Sequence, residues 1–145
     1  MRETVSCKAL TLHQPWATII ALGLKHVETR SWPTAYRGRL AIHAGRAPLD
    51  PGMTIVCAAL AEAGLAVTVH QVEMARYPLG AIVAFCDLVD CVPMTDETIR
   101  EARLVERCVG DWQPGRFAWH LDNIVPVDPI PMRGAQGLWD CELPA

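Results

Sequence analysis

The chain has 145 residues, 51% of them apolar, and a formal net charge of −3, which allows one domain with a buried core and excludes two of ordinary size. No apolar run reaches the length of a membrane span, and the start MRETVSCKAL lacks the long apolar core of a secretory signal, so a soluble, cytoplasmic protein of one domain over 1–145 is expected. The six cysteines, at 7, 57, 86, 91, 108 and 141, form no C-x-x-C pair and lie mostly within apolar patterns. They read as reduced, metal-free thiols packed as small hydrophobes, with no cofactor.

Met1 to Lys8 is polar and reads as a frayed lead-in to a strand near Ala9 to Leu12. Gln14, Pro15 and Trp16 open a short helix, with Pro15 suited to its first position. Trp16, Ile19 and Ile20 share one face, and Gly23 supplies the left-handed residue that ends the helix near Leu22. After a turn at Gly23 to Lys25, a strand from His26 to Trp32 alternates its side chains. Glu28, Arg30 and Trp32 fall on one side, Val27, Thr29 and Ser31 on the other, and Lys25 stands at the strand's mouth. Pro33 to Tyr36 is a turn, and Arg39 to Ala44 a second strand with Leu40 and Ile42 on one face and Arg39, Ala41 and His43 on the other. Two adjacent strands are thus expected to offer polar faces to one cleft.

Asp50 and Pro51 start a structural helix whose apolar stripe is Met53, Val56, Cys57 and Leu60, ended by Gly64. Ala66 to Leu79 leaves strand and helix open. Gly80 to Val92 is the longest β-branched and aromatic run, a central barrel strand interrupted by Asp87 and Asp90, which read as bulge or turn residues or as a border of the cleft. Thr95 to Val109 reads as one amphipathic helix with Ile99, Ala102, Val105 and Val109 inward. Phe117 to Leu121 and Ile124 to Val127 are further strands, with Pro126, Pro129 and Pro131 breaking any long pairing. Gly134 to Gly137 is a loop suited to close backbone approach, and Leu138 and Trp139 enter a last strand. Charge is uneven along this order. Five basic residues (Lys25, Arg30, Arg37, Arg39, Arg46) and one acid (Glu28) make 25–46 a +4 segment, which leaves −7 for the rest. That asymmetry fits either a local anion-binding face or two strands solubilised by surface basics.

The same residues carry a resemblance. HQPWA, then Gly23, Lys25, Glu28 and Arg30 in the pattern G-x-K-x-x-E-x-R, RSW, and Arg37-Gly38-Arg39-Leu40 are similar to the ASCH family, the activating signal cointegrator homology domains. The likeness continues through GAIVAFCDLVDCVP (80–93), FAWHL (117–121) and PIPMRGAQGLW (129–139), in the family's order over nearly the whole chain. It implies an α+β fold, a small mixed β-barrel of PUA-like type with helices covering the barrel openings. PUA domains bind RNA, some ASCH members resemble amidohydrolases acting on acylated cytidine, and some have been assigned nuclease activity. The amidohydrolase members use a threonine nucleophile three residues after the lysine, where this chain has Glu28. A covalent hydroxyl mechanism is therefore not carried over.

Three classes of function follow. The first is binding of a nucleotide or unpaired RNA in a cleft lined by Lys25, Glu28, Arg30 and Trp32, where cations meet phosphates and indoles stack on bases. The ligand-contacting set is Gln14, Trp16, Lys25, Arg30, Ser31, Trp32, Tyr36, Arg37, Arg39, His43, Gln136 and Trp139, on a chain expected to be a monomer. The second is a hydrolase acting on a modified nucleoside or RNA, with Glu28 as general base and Lys25 or Arg30 steadying the oxyanion. An ion pair of Glu28 with Arg30 or Lys25 that only shapes the pocket is the plain alternative. The third is a protein interaction module, since the eukaryotic homologue of the domain sits in a transcription coactivator.

Overall fold

Leu10, Leu12, Leu40, Ile42, Cys86, Leu88, Trp119 and Leu121 lie on matching faces of their strands, and their burial against one another forms the main core. The computed structural model describes residues 4–144. The elements run β1 (Thr4–Leu12), α1 (Trp16–Ala21), β2 (Val27–Arg30), β3 (Gly38–Ala44), α2 (Gly52–Glu62), α3 (Ala66–Met74), β4 (Ala81–Pro93), α4 (Asp96–Glu101), α5 (Leu104–Cys108), β5 (Phe117–Pro131) and β6 (Leu138–Pro144). The strands form one mixed sheet in the order β2-β5-β4-β3-β1-β6, with β1 and β3 parallel and the other pairs antiparallel. The fold is α+β, as expected. The described pairings leave β2 and β6 as edges, so they do not close the sheet into a barrel. It is nonetheless strongly rolled. Three strands separate β2 from β1 in the order, yet Arg30 Nη2 on β2 donates to the Thr11 carbonyl on β1 at 3.0 Å.

Helix α1 plugs the rolled sheet. Its Ala17 and Ile20 join the main core, while Ile19 turns to a second cluster with Val56, Leu60, Val72 and Val109 beneath α2, α3 and α5. The helix stops at Leu22, and Gly23 takes φ 77° to reverse the chain. Because α1 is wedged between two apolar clusters, the segment that follows it is carried to a fixed place beside α5.

Several expectations are corrected. The first strand begins at Thr4 rather than near Ala9, because β6 pairs with it along its length; Met1 to Glu3 of the expected lead-in lie outside the described residues. β2 and β3 are not neighbours, since β5 and β4 lie between them. The single helix expected over 95–109 is broken at Ala102 and Arg103, both extended. The break lets the two halves pack differently: Ile99 goes against Val27, Met94 and Ala118, while Val105 and Val109 go under α1 and α2. β5 continues as one strand through Pro126, Pro129 and Pro131, although its pairing with β4 slips there, from Ile82 opposite Ile130 to Ala84 opposite Pro126. β2 covers it only from Phe117 to His120, so beyond that its outer edge carries no ladder for a missing N–H to interrupt. The open segment Ala66 to Leu79 is mostly helix, and register shifts in β4 next to Asp87 and Asp90 accord with a bulge reading of both.

All six cysteines are unbridged, and among the described residues no group of three His, Cys, Asp or Glu side chains is placed to hold a metal ion. Burial, and then the neighbouring Asp87, push the Cys86 thiol up to about 12 from 9.0. A thiol raised on folding contributes its stability in full below pH 9.0 and loses it as pH climbs toward the folded value. Between those limits Cys86 should cost the fold about 1.4 kcal/mol per pH unit. Urea midpoints of wild type and Cys86→Ala from pH 8 to 11 check this, with the variant's decline expected to be the shallower. Parallel curves would remove the thiol as the cause.

Candidate functional site

Lys25 leaves the α1 turn pointing inward and is fully buried, at 0% exposure. Its Nζ donates to the Val109 carbonyl at 2.8 Å and lies 3.6 Å from Glu28 Oε1. Burial pushes its ammonium below the ordinary lysine value, while the Glu28 and Glu106 carboxylates pull it back. Glu28 sits between two cations. Oε1 also accepts from the Thr29 N–H at 3.0 Å, and Oε2 lies 3.1 Å from Arg30 Nη2. Arg30 thus bridges Glu28 and the Thr11 carbonyl, and its Nε is buried with no hydrogen-bond partner among the described residues.

These side chains line a cavity of about 570 Å³ that also takes in His13, Trp16, Ser31, Trp32, Asp111 and Arg116. Trp32 follows β2 directly and is held edge to face against the buried Trp119, with ring centroids 4.8 Å apart, while Trp119 Nε1 donates to the Trp32 carbonyl. Its plane is therefore fixed from below. Thr29 also reaches the cavity wall, but its hydroxyl accepts from the Asp111 N–H at 3.0 Å, away from the Glu28 carboxylate's cationic partners. Arg116 closes the outer side, donating to the Asp111 and Thr29 carbonyls.

Lys25, Glu28, Arg30, Trp32, Trp16 and Ser31 are thus brought together. The other residues singled out from the sequence lie elsewhere. Gln14 is buried and turned into the fold, its amide engaged by the backbone and side chain of Thr18 and by the Pro78 carbonyl. Tyr36 donates to the Arg39 carbonyl, Arg37 holds the Thr34 and Tyr36 carbonyls with Asp90 at 3.6 Å, and the Arg39 guanidinium lies 4.7 Å over the Phe85 ring. The five cations of segment 25–46 therefore do not share one face, because β3 is two strands removed from β2. His43 and Gln136 line a separate cavity, and Trp139 packs edge to face on His43 while donating to the Thr11 hydroxyl.

Glu106 was missed by the sequence reading. It is 3% exposed on α5 and accepts from the His26 and Val27 N–H groups at 2.6 and 3.2 Å, so it holds the start of β2. A signal existed: Ile99, Ala102, Glu106 and Val109 have the three-four-three spacing of one helical face, which places a carboxylate among inward apolar residues. His13, Asp111 and Arg116 had no comparable local signal.

Comparison with known proteins agrees with this architecture. The ASCH domain family model matches residues 10–131. Activating signal cointegrator 1 of Mus musculus is 38% identical over 85 residues, 57% of this chain and 14% of that protein. The Homo sapiens protein of the same name is 37% identical over 84 residues, again 57% of this chain and 14% of its own length. The chain thus spans a small part of the curated relatives that it matches. The crystal structure of ASCH from Zymomonas mobilis superposes with a TM-score of 0.53 at 19% identity, covering 86% of this chain and 72% of that one. The molecule is an α+β domain with a rolled PUA-like sheet. The chain belongs to the ASCH domain family.

Proposed function

We propose that the cavity between β2, α1 and α5 binds a nucleotide or the base and phosphate of an unpaired RNA segment. The observation that carries this reading is Arg30, a guanidinium whose buried Nε has no partner among the described residues and which lines the cavity with Trp16 and Trp32. A buried donor without a partner is costly unless a ligand or water completes it. Two half-buried indoles in the same wall supply flat apolar surface for a base, and Trp32 is already fixed in orientation by Trp119. Lys25 is fully buried, with its ammonium held by the Val109 carbonyl and Glu28, and acts on the cavity through Glu28, which in turn aims Arg30. The occupied carboxylate supports binding over hydrolysis, since each Glu28 oxygen already has a protein partner. No helix of the described residues is long and apolar enough to cross a membrane.

Tryptophan fluorescence titrated with the four ribonucleoside monophosphates and with short single-stranded RNA tests the reading. Wild type should be quenched on binding. Arg30→Lys, which keeps the charge and loses the planar fork, should weaken the complex about tenfold, the effect of ~1.4 kcal/mol. Equal affinity in the two proteins would refute a role for Arg30 in contact with the ligand.

A further inference from the structure

The parallel pair β1 and β3 ends in register at Leu12 and Ala44, so the loops that follow both emerge at one end of the sheet. Backbone bonds stitch two further segments to them. The Gly45 N–H donates to the Leu12 carbonyl, the Gly80 N–H to the Ala44 carbonyl, and the Met132 N–H to the Gly80 carbonyl, at 2.8, 2.8 and 3.0 Å. His13, Arg46 and Arg133, far apart in sequence, are thereby gathered around a second cavity of about 710 Å³. Among the described residues no carboxylate lines it. Neither Arg46 nor Arg133 enters an ion pair or a side-chain hydrogen bond among the described residues, although the chain carries a net charge of −3. Two unneutralised guanidiniums around an acid-free hollow on an acidic protein make a local anion site.

The floor of this cavity is rigid. His43 Nε2 donates to the Met132 carbonyl at 2.7 Å, which leaves Nδ1 to accept from the Thr11 hydroxyl at 3.1 Å, and Thr11 accepts in turn from Trp139 Nε1 at 3.1 Å. A Cβ on Gly134 would come within 2.7 Å of both His43 Nδ1 and Thr11 Oγ1, so only glycine lets the loop after Arg133 lie this close. That contact fixes Arg133 and Gln136 at the rim. His13 lines both this cavity and the one beside Arg30, so the two hollows adjoin on either side of one residue.

The geometry points to a phosphate subsite: Arg46 and Arg133 hold the backbone phosphates of a single-stranded RNA whose neighbouring nucleotide occupies the Arg30 cavity, with His13 between them. This extends the proposed function and rests on it, and it makes the ligand an oligonucleotide rather than a free nucleotide. The phosphodiester is favoured over other anions because the adjoining cavity offers indoles to the attached base.

A randomised single-stranded RNA pentamer pool and the four ribonucleoside monophosphates, titrated against wild type and Arg46→Ala/Arg133→Ala, test the inference. Both arginines are exposed, so the variant should fold, with an unchanged circular dichroism melt. Wild type should bind the pentamer at least about tenfold more tightly than any monophosphate. The double variant should lose that excess, keep its monophosphate affinity, and show a log-log salt slope shallower by about 1.4, the release of ions from two single-strand phosphates. Unchanged pentamer affinity and slope in the variant would overturn the subsite while monophosphate binding left the first cavity standing. Equal binding of pentamer and monophosphate by wild type would overturn it likewise, and binding of neither would overturn both readings.

Discussion

Lys25→Met should lower the stability of the fold by about 3–5 kcal/mol, although the two side chains are close in length and shape. The ammonium is wholly enclosed, bonded to the Val109 carbonyl and paired with Glu28. Removing it leaves that carbonyl without its side-chain donor and a buried carboxylate with one cation instead of two. Breaking one side of such a pair costs more than the pair contributes, because the remaining charge is stranded in a medium that solvates it poorly. Lys25→Met/Glu28→Gln should therefore regain part of the loss, a coupling that a double-mutant cycle in urea measures directly. The pH dependence has a definite sign as well. Folding lowers the lysine's pKa from 10.5, so its contribution to stability grows as pH rises toward that value, opposite to the trend from Cys86. A loss under about 1 kcal/mol in the single variant, the range of an exposed pair, would overturn the reading of Lys25 as a held ammonium.

This burial was only half legible in the sequence. The spacing from Gly23 to Arg30 placed a turn, a lysine at the strand mouth and alternating Glu28 and Arg30 correctly, because those are local properties of a helix end and a strand. Leu40 and Ile42 facing the core, and the stripe Val56 and Leu60 on α2, followed from periodicity in the same way. Sheet order is not a local property. Nothing in the pattern of β2 and β3 states that β5 and β4 come between them, so only sequence nearness groups Arg37 and Arg39 with Arg30. The second cavity was invisible for the same reason: Arg46 and Arg133 are 87 positions apart and line one cavity only because the ends of β1, β3 and β5 and the start of β4 lie together. The break at Ala102 lay beyond periodicity too, since both halves keep apolar residues at helical spacing while packing on different clusters.

These long-range effects also change what Glu28 can do. A strand reading alone leaves its carboxylate free to face a water. The fold instead brings α5 across β2, so that Val109 receives Lys25 and Glu106 caps His26 and Val27, and the strand's first carboxylate is drawn into a chain of charges running from Lys25 through Glu28 to Arg30. Rigid placement of Arg30 is the consequence, and it is what a binding cavity needs to limit the ordering cost of a ligand.

Glu28→Gln separates a binding site from a hydrolytic one more sharply than any other change. Gln keeps an acceptor for the Thr29 N–H and Lys25, but its amide would present a donor to Arg30 Nη2, where the carboxylate now lies at 3.1 Å. Arg30 then loses the carboxylate that aims it while one negative charge leaves the cavity, two opposing effects, so the affinity for ribonucleoside monophosphates should change only modestly. Under the binding reading wild type shows no turnover of acylated cytidine or of RNA, and the variant differs in affinity alone. A general base behaves otherwise, because losing its basicity lowers the rate by about two to four orders of magnitude while the bound geometry persists. Product formation assayed by chromatography at saturating substrate decides between them: turnover by wild type that collapses by that factor in Glu28→Gln would make the cavity an active site, with Glu28 as its base and Arg30 as the group meeting the developing charge.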